Sequence, residues 1–131
     1  MYFIPPFKVV SGRLSLVKVN GTARVNNTYD DFVEIVKSLL RGIAFEEKWY
    51  IAKYPDVAEA VRAGAFRSGR QHFIDVGYFE GRRPREFDVD ETWYLKTYPD
   101  VAEGIGKGEI KSAHEHFNDH GYEEGRFPAE L

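Results

Sequence analysis

Three histidines crowd one stretch of the chain. His114, His116 and His120 fall within seven residues, with Glu115 and Asp119 between them. His116 and His120 stand four apart, and on a helix that spacing puts two imidazoles on one face, where they could share a metal ion. No H-E-x-x-H pattern supplies a third ligand. The chain has no cysteine, which removes thiolate metal sites, disulfides and Cys nucleophiles together. The expectation is no metal and no cofactor, with His116 and His120 the candidate pair if one binds. Paired carboxylates also occur, Asp56 with Glu59 and Asp75 with Glu80. General acid–base work needs two such groups in a cleft with displaced pKa values, but the same spacing serves helix caps and surface ion pairs. Gly104-Ile105-Gly106-Lys107-Gly108 is glycine-rich yet follows no strand signal, so it does not read as a phosphate loop. No nucleophile elbow and no Walker A pattern is present. The chain is expected not to be an enzyme.

Aromatic side chains are the stronger binding candidates. Trp49, Tyr50, Tyr54 and Tyr78 recur in register as Trp93, Tyr94, Tyr98 and Tyr122. Exposed, such rings stack on sugar faces or anchor a protein partner. Buried, they are core. Arg82 and Arg126 could hold an anion, or pair internally with Asp56 and Asp100.

The recurrence itself is the dominant feature. Residues 46–84 shifted by 44 lie on residues 90–128 without a gap, and twenty of the 39 positions are identical. A self-similar period of this size is the signature of a repeat architecture. The shared set includes Pro55/Pro99, Asp56/Asp100, His72/His116, Phe73/Phe117, Gly77/Gly121, Gly81/Gly125 and Arg82/Arg126. These read as residues the repeat needs for its own structure. Each unit reads as three short helices. The residue before a proline avoids the α conformation, so Tyr54 should end the first helix and Pro55 begin the second. Ser68 and Ser112 sit where the third helix needs an N-cap, and Gly77 and Gly121 where it should stop. Gly104, Gly106 and Gly108 should weaken the second helix of the later copy. Gly81 and Gly125 fit a left-handed turn.

Upstream, Thr28 and Asp31 frame the start of a helix. Phe32, Val33, Ile35, Val36, Leu39 and Leu40 then follow helical spacing. Its apolar stripe should pack as a cap on the first repeat. Before it, Asn20-Gly21 suits a type I′ hairpin turn joining Leu14–Val19 to Thr22–Asn26. A lone hairpin is marginal in water, so it must pack on the helices or pair with a second chain. The domains expected are therefore 1–26, an N-terminal extension with a hairpin; 27–44, an amphipathic capping helix; 45–84, repeat one; and 89–128, repeat two. The fold class is mostly α.

Charge narrows the partners. The net charge is −3, with six Lys/Arg against three Asp/Glu in residues 1–45 and twelve against eighteen in residues 46–131. An acidic second part argues against nucleic acid. No stretch reaches the roughly 18 apolar residues of a membrane helix, and the start MYFIPPFK lacks the basic region of a signal peptide. The expected location is the cytoplasm, with another protein as partner, or a polysaccharide, and a homo-oligomer formed through the hairpin.

The pattern F/V-[DE]-x-x-W-Y-L/I-x-x-Y-P-D-V-A … H-F … G-Y-x-E-G-R-x-P, carried by residues 45–84 and 89–128, resembles a short repeat of bacterial proteins. That repeat often stands beside glycosyltransferase domains of surface- and exopolysaccharide-building systems. The resemblance implies an accessory helical module and transfers no catalytic residue. Residues 1–42 lie outside it. The function expected is a non-catalytic binding or adaptor module linked to bacterial surface polysaccharide assembly. The alternative is a carbohydrate-binding module using the repeated Trp and Tyr, and a small enzyme or regulator comes third.

Overall fold

Thr28 accepts a hydrogen bond from the Asp31 N–H at 3.1 Å, and Asp31 accepts one from the Thr28 N–H at 3.3 Å. This capping box satisfies two backbone donors that a helix start leaves orphaned, and it opens the longest helix of a computed structural model that describes residues 2–131. The protein is mostly helical, with one two-stranded antiparallel hairpin near its start. It divides into two compact units, the first ending at Pro84 and the second spanning Arg85–Leu131.

The first unit begins with a short helix, α1 (Phe7–Ser11). Pro6, at φ −60° and ψ 148°, leads directly into it. Five residues are too few to hold a helix by propensity alone, so periodicity gives no signal there. The hairpin follows as β1 (Leu16–Val19) and β2 (Thr22–Val25), with Leu16 opposite Val25 and Val19 opposite Thr22. Asn20 and Gly21 take φ +51° and +78°, the two left-handed positions of a type I′ turn. The strands are shorter than the sequence suggests, because Asn27 takes over at the base. Its side chain accepts the Ser15 N–H at 2.8 Å and donates to the Arg13 carbonyl at 3.2 Å.

Helix α2 (Tyr29–Leu40) buries Ile35 and Leu40. Phe32, expected on its buried stripe, stays exposed, as does Tyr29. Then come α3 (Glu47–Lys53), α4 (Pro55–Arg62) and α5 (Gly69–His72). Tyr54, at φ −121° and ψ 83°, breaks α3 from α4, and Pro55 opens the latter. Leu40, Tyr50, Val57, Phe73 and Ile74 form one buried cluster. Val36 and Ile43 pack against it, so α2 closes one side of this core. Burying a side chain of Val-to-Phe size stabilises by roughly 1.5–3 kcal/mol.

The third helix differs from the expectation. Instead of stopping at Gly77, α5 passes into a π-helical turn, Phe73–Gly77, and then a 3₁₀ turn, Tyr78–Glu80. Gly77 is right-handed, at φ −59° and ψ −43°. The chain reverses four residues later, at Gly81, with φ +84°.

The second unit contains α6 (Glu91–Thr97), α7 (Pro99–Gly106) and α8 (Ala113–His116), with a π-helical turn at Phe117–Gly121. Its core is Tyr94, Val101, Ala113 and Phe117. The glycines of α7 do not shorten it before Gly106. Gly104 is buried, and a Cβ there would overlap the Ile110 side chain. Gly104 therefore makes room for packing, and it is Gly108, at φ +76°, that turns the chain.

Candidate functional site

The repeated aromatics were the leading candidates, and their positions follow from the helices that carry them. Tyr50 on α3 and Tyr94 on α6 point inward and are fully buried. Their hydroxyls lie 2.9 Å from His72 Nδ1 and 2.8 Å from His116 Nδ1. Burial pushes the Tyr50 phenol well above its ordinary range and the Tyr94 phenol up to about 12. It also lowers the pKa of both histidines, with the Arg82 charge assisting at His72 and the Arg126 charge at His116. Two neutral rings sharing one hydrogen bond suit an interior where charged forms are disfavoured. No face of either tyrosine is open to a ligand.

Tyr54 and Tyr98 lie one layer further out and are half-buried. Their hydroxyls accept the backbone N–H of Arg83 at 3.0 Å and of Phe127 at 2.9 Å. The guanidiniums of Arg82 and Arg126 lie over their rings, each 4.9 Å from the centroid. Arg82 in turn meets both Asp56 oxygens, at 2.9 and 2.7 Å, and Arg126 meets both Asp100 oxygens, at 2.9 and 2.8 Å. These parallel pairs are the strong, directional form of Arg–carboxylate contact. The hydrogen bonds from Arg82 hold Asp56 below the usual carboxylate value, and those from Arg126 do the same for Asp100. Both arginines are raised by the same bonds. Their fork donors are thus committed inside each unit.

Trp49 and Trp93 are half-buried. Trp49 has the Arg83 guanidinium over its ring at 5.1 Å and the edge of Tyr54 beside it. Tyr78 is 40% exposed and sits edge-on to Phe79, which is 41% exposed. Tyr122 stacks on Phe87 at 5.2 Å. Phe73 and Phe117 are core.

The histidines and the candidate carboxylate pairs are taken up in local contacts. His116 and His120 lie side by side, ring centroids 5.9 Å apart, but His116 Nδ1 faces Tyr94 and its Nε2 faces Glu124. His114 pairs with Glu86 at 3.1 Å. Among the described residues no three His, Asp or Glu side chains are arranged to hold a metal ion. Asp75 is bonded by Gln71, Glu59 by Arg62 and Glu80 by Arg82.

One role escaped the sequence reading. Glu47 accepts the N–H groups of Gly69 and Arg70 at 2.6 and 3.0 Å. Glu91 accepts those of Ala113 and His114 at 3.1 and 2.9 Å. Ser68 and Ser112 each satisfy only one donor of the same helix starts. The identity of Glu47 and Glu91 at an offset of 44 was the available signal.

No protein-family model, curated protein or solved structure matches this chain. Function therefore rests on the geometry. Two features bear on it: helical units whose repeated residues are spent on internal bonds, and an N-terminal segment whose apolar residues are not. Every strand residue of the hairpin is exposed, Leu16 at 58% and Val25 at 60%. Phe7 is 80% exposed, Tyr2, Phe3 and Ile4 just before it are exposed, and so are Tyr29 and Phe32 on α2. No described helix is long and apolar enough to cross a membrane.

Proposed function

We propose that the chain is a non-catalytic helical-repeat adaptor, with residues 45–84 and 89–128 as two tandem copies of one three-helix repeat. By resemblance it serves bacterial surface polysaccharide assembly. Bonds recurring at fixed separations support the repeat reading. The Tyr–His bond spans 22 residues in each unit and the Arg–Asp pair spans 26. The opening of each unit is tied to its end in the same way, by Glu46 N–H to Pro84 O and Asp90 N–H to Pro128 O.

The observation that carries the adaptor reading is the exposed apolar hairpin. Exposed apolar side chains stand on both faces of the hairpin, Leu16 and Val25 on one and Val17 and Val19 on the other, and unpaired strand edges are templates for another chain. The partner is a protein, and a second copy of this chain adding strand to strand is its simplest form. The test is light scattering of the full chain beside a Val17→Lys/Val25→Lys variant, with helical circular dichroism as the folding control. A dimer that the variant reduces to a folded monomer supports the reading. A monomer in both, with no protein from its own host retained by the unsubstituted chain and lost by the variant, ends it.

A further inference from the structure

The first unit holds a cleft that none of the bonds above explains. It has a volume of about 710 Å³ and is lined by Arg41 at the end of α2 and by Phe66, Arg67, Arg70, Gln71 and Asp75. That volume lies within the range of small-molecule sites, roughly 300–1,000 Å³. A smaller hollow of about 290 Å³ shares Arg41 and Asp75 with it and adds Arg13, Glu34 and Lys37, the last two paired at 3.5 Å.

The charges in the cleft do not cancel. Asp75 is the one carboxylate among its lining residues. One of its oxygens takes the Gln71 amide at 2.6 Å and the other faces Lys37 at 3.9 Å. The three guanidiniums are left as surplus. Arg70 is held in place by neutral groups only: it donates to the carbonyls of Arg41 and Ile43, at 3.1 and 3.3 Å, and lies over the Phe45 ring. Neither Arg41 nor Arg67 has a side-chain hydrogen bond or ion pair among the described residues. In a chain with more acids than bases, three arginines gathered without carboxylate partners contrast with Arg82 and Arg126, each clasped by an aspartate.

Residue differences at the 44-residue offset sharpen the point. Where the first unit has Arg70, Gln71 and Ala65, the second has His114, Glu115 and Glu109. His114 is paired with Glu86. Three of the positions that differ thus leave acids out of the first unit's cleft and put a fixed guanidinium in it.

We infer that this cleft binds the phosphate group of a small phosphomonoester. A guanidinium presents a planar fork matched to phosphate oxygens. The forks of Arg41 and Arg67 are uncommitted, and with the fixed charge of Arg70 beside them they suit a group carrying close to two negative charges and three acceptor oxygens better than a singly charged carboxylate. The inference stands apart from the adaptor reading, since it uses no residue of the hairpin.

The test is isothermal titration of the full chain at low ionic strength with glucose 1-phosphate, inorganic phosphate, glucose and acetate. Arg41→Gln/Arg67→Gln removes two exposed charges that hold nothing else in place. Lys18→Gln/Arg24→Gln removes the same charge from the hairpin. The expected result is saturable one-to-one binding of glucose 1-phosphate and inorganic phosphate, with acetate at least about tenfold weaker and glucose silent. The cleft variant should weaken phosphate binding by about tenfold or more, and the hairpin variant should leave it unchanged. Absence of saturable phosphate binding, or equal loss in both variants, overturns the site. Inorganic phosphate binding without glucose 1-phosphate binding, or acetate binding as tightly, overturns the phosphomonoester assignment.

Discussion

The Tyr50 hydroxyl rests directly against Gly77, so that any Cβ on Gly77 would overlap it. The glycine stands in the π-helical turn with ordinary right-handed angles; it is needed for space, not for conformation. Gly121 meets the Tyr94 hydroxyl in the same manner. Gly77→Ala should therefore destabilise through overpacking, by about 1–3 kcal/mol. The diagnostic is the combination with Tyr50→Phe. Removing the hydroxyl frees the space, so the double variant should melt above Gly77→Ala alone, though below the natural chain because His72 Nδ1 loses its partner. Thermal denaturation of the three variants checks this. If Tyr50→Phe adds its own loss in full, the contact is not what makes Gly77 necessary.

Acid should loosen the fold through the two buried histidines. Both have pKa values lowered from 6.5 by burial. His72 is faced by Arg82, Glu80, Asp56 and Asp75; His116 is faced by Arg126, Glu124, His120 and Asp100. A lowered pKa means the unfolded chain binds more protons than the folded one below 6.5, so stability falls as pH drops through that value toward the folded pKa. A second loss follows below 3.8, where Asp56 and Asp100, whose pKa values are also lowered, begin to protonate in the unfolded chain. Urea midpoints measured from pH 8 to pH 3 should decline in these two windows. His72→Gln should remove part of the upper one. A flat profile between pH 7 and pH 5 would contradict the buried neutral assignment.

Much of this architecture is legible in the sequence because it rests on local chemistry. Thr28 with Asp31 caps a helix, Asn20-Gly21 makes a turn, and Tyr54 before Pro55 separates two helices; each is decided by neighbours within four residues. The Arg82–Asp56 pair lies 26 residues apart, and could be anticipated only because Arg126 and Asp100 recur with it. What could not be read was space. Gly77 looks like a helix stop until Tyr50 is seen against it, and at Gly42, just past the end of α2, the tight space comes from Phe3 crossing it, with the Phe3 N–H donating to the Gly42 carbonyl at 2.8 Å. The exposure of Phe32 was equally hidden, since periodicity names a helix's apolar face without saying how wide its partner is. The arginine cleft was illegible for the same reason: Arg41 and Arg67 are far apart in sequence and share no bond.

Arg82→Lys should cost more than its position suggests. The Asp56 side chain is 63% exposed and that of Arg82 20%, and an ion pair this open is worth at most about 1 kcal/mol. A lysine keeps the charge but loses the second parallel hydrogen bond and the planar stack on Tyr54. The loss should therefore exceed that of Asp56→Asn, which removes only the pair, and it should persist in 1 M salt, where exposed ion pairs are screened over about 3 Å. Chemical denaturation at low and high salt separates the two contributions. Equal effects of the two substitutions, both abolished by salt, would make the clasp a simple surface ion pair.

The most direct structural test concerns Glu47, which accepts two N–H groups at the start of α5. Helix starts leave four such donors unpaired, and Ser68 satisfies only the one on Gln71. Because the Glu47 carboxylate joins α3 to α5 across 22 residues, its loss detaches a tertiary contact as well as a cap. Glu47→Ala should cost about 1–2 kcal/mol. Glu47→Gln keeps one acceptor and should fall between. Amide hydrogen exchange supplies the local readout: Gly69 and Arg70 should lose protection in Glu47→Ala, while Ala113 and His114, held by Glu91, should keep theirs. Equal loss of protection at both places would mean that the two units open together, and that Glu47 does not act on α5 alone.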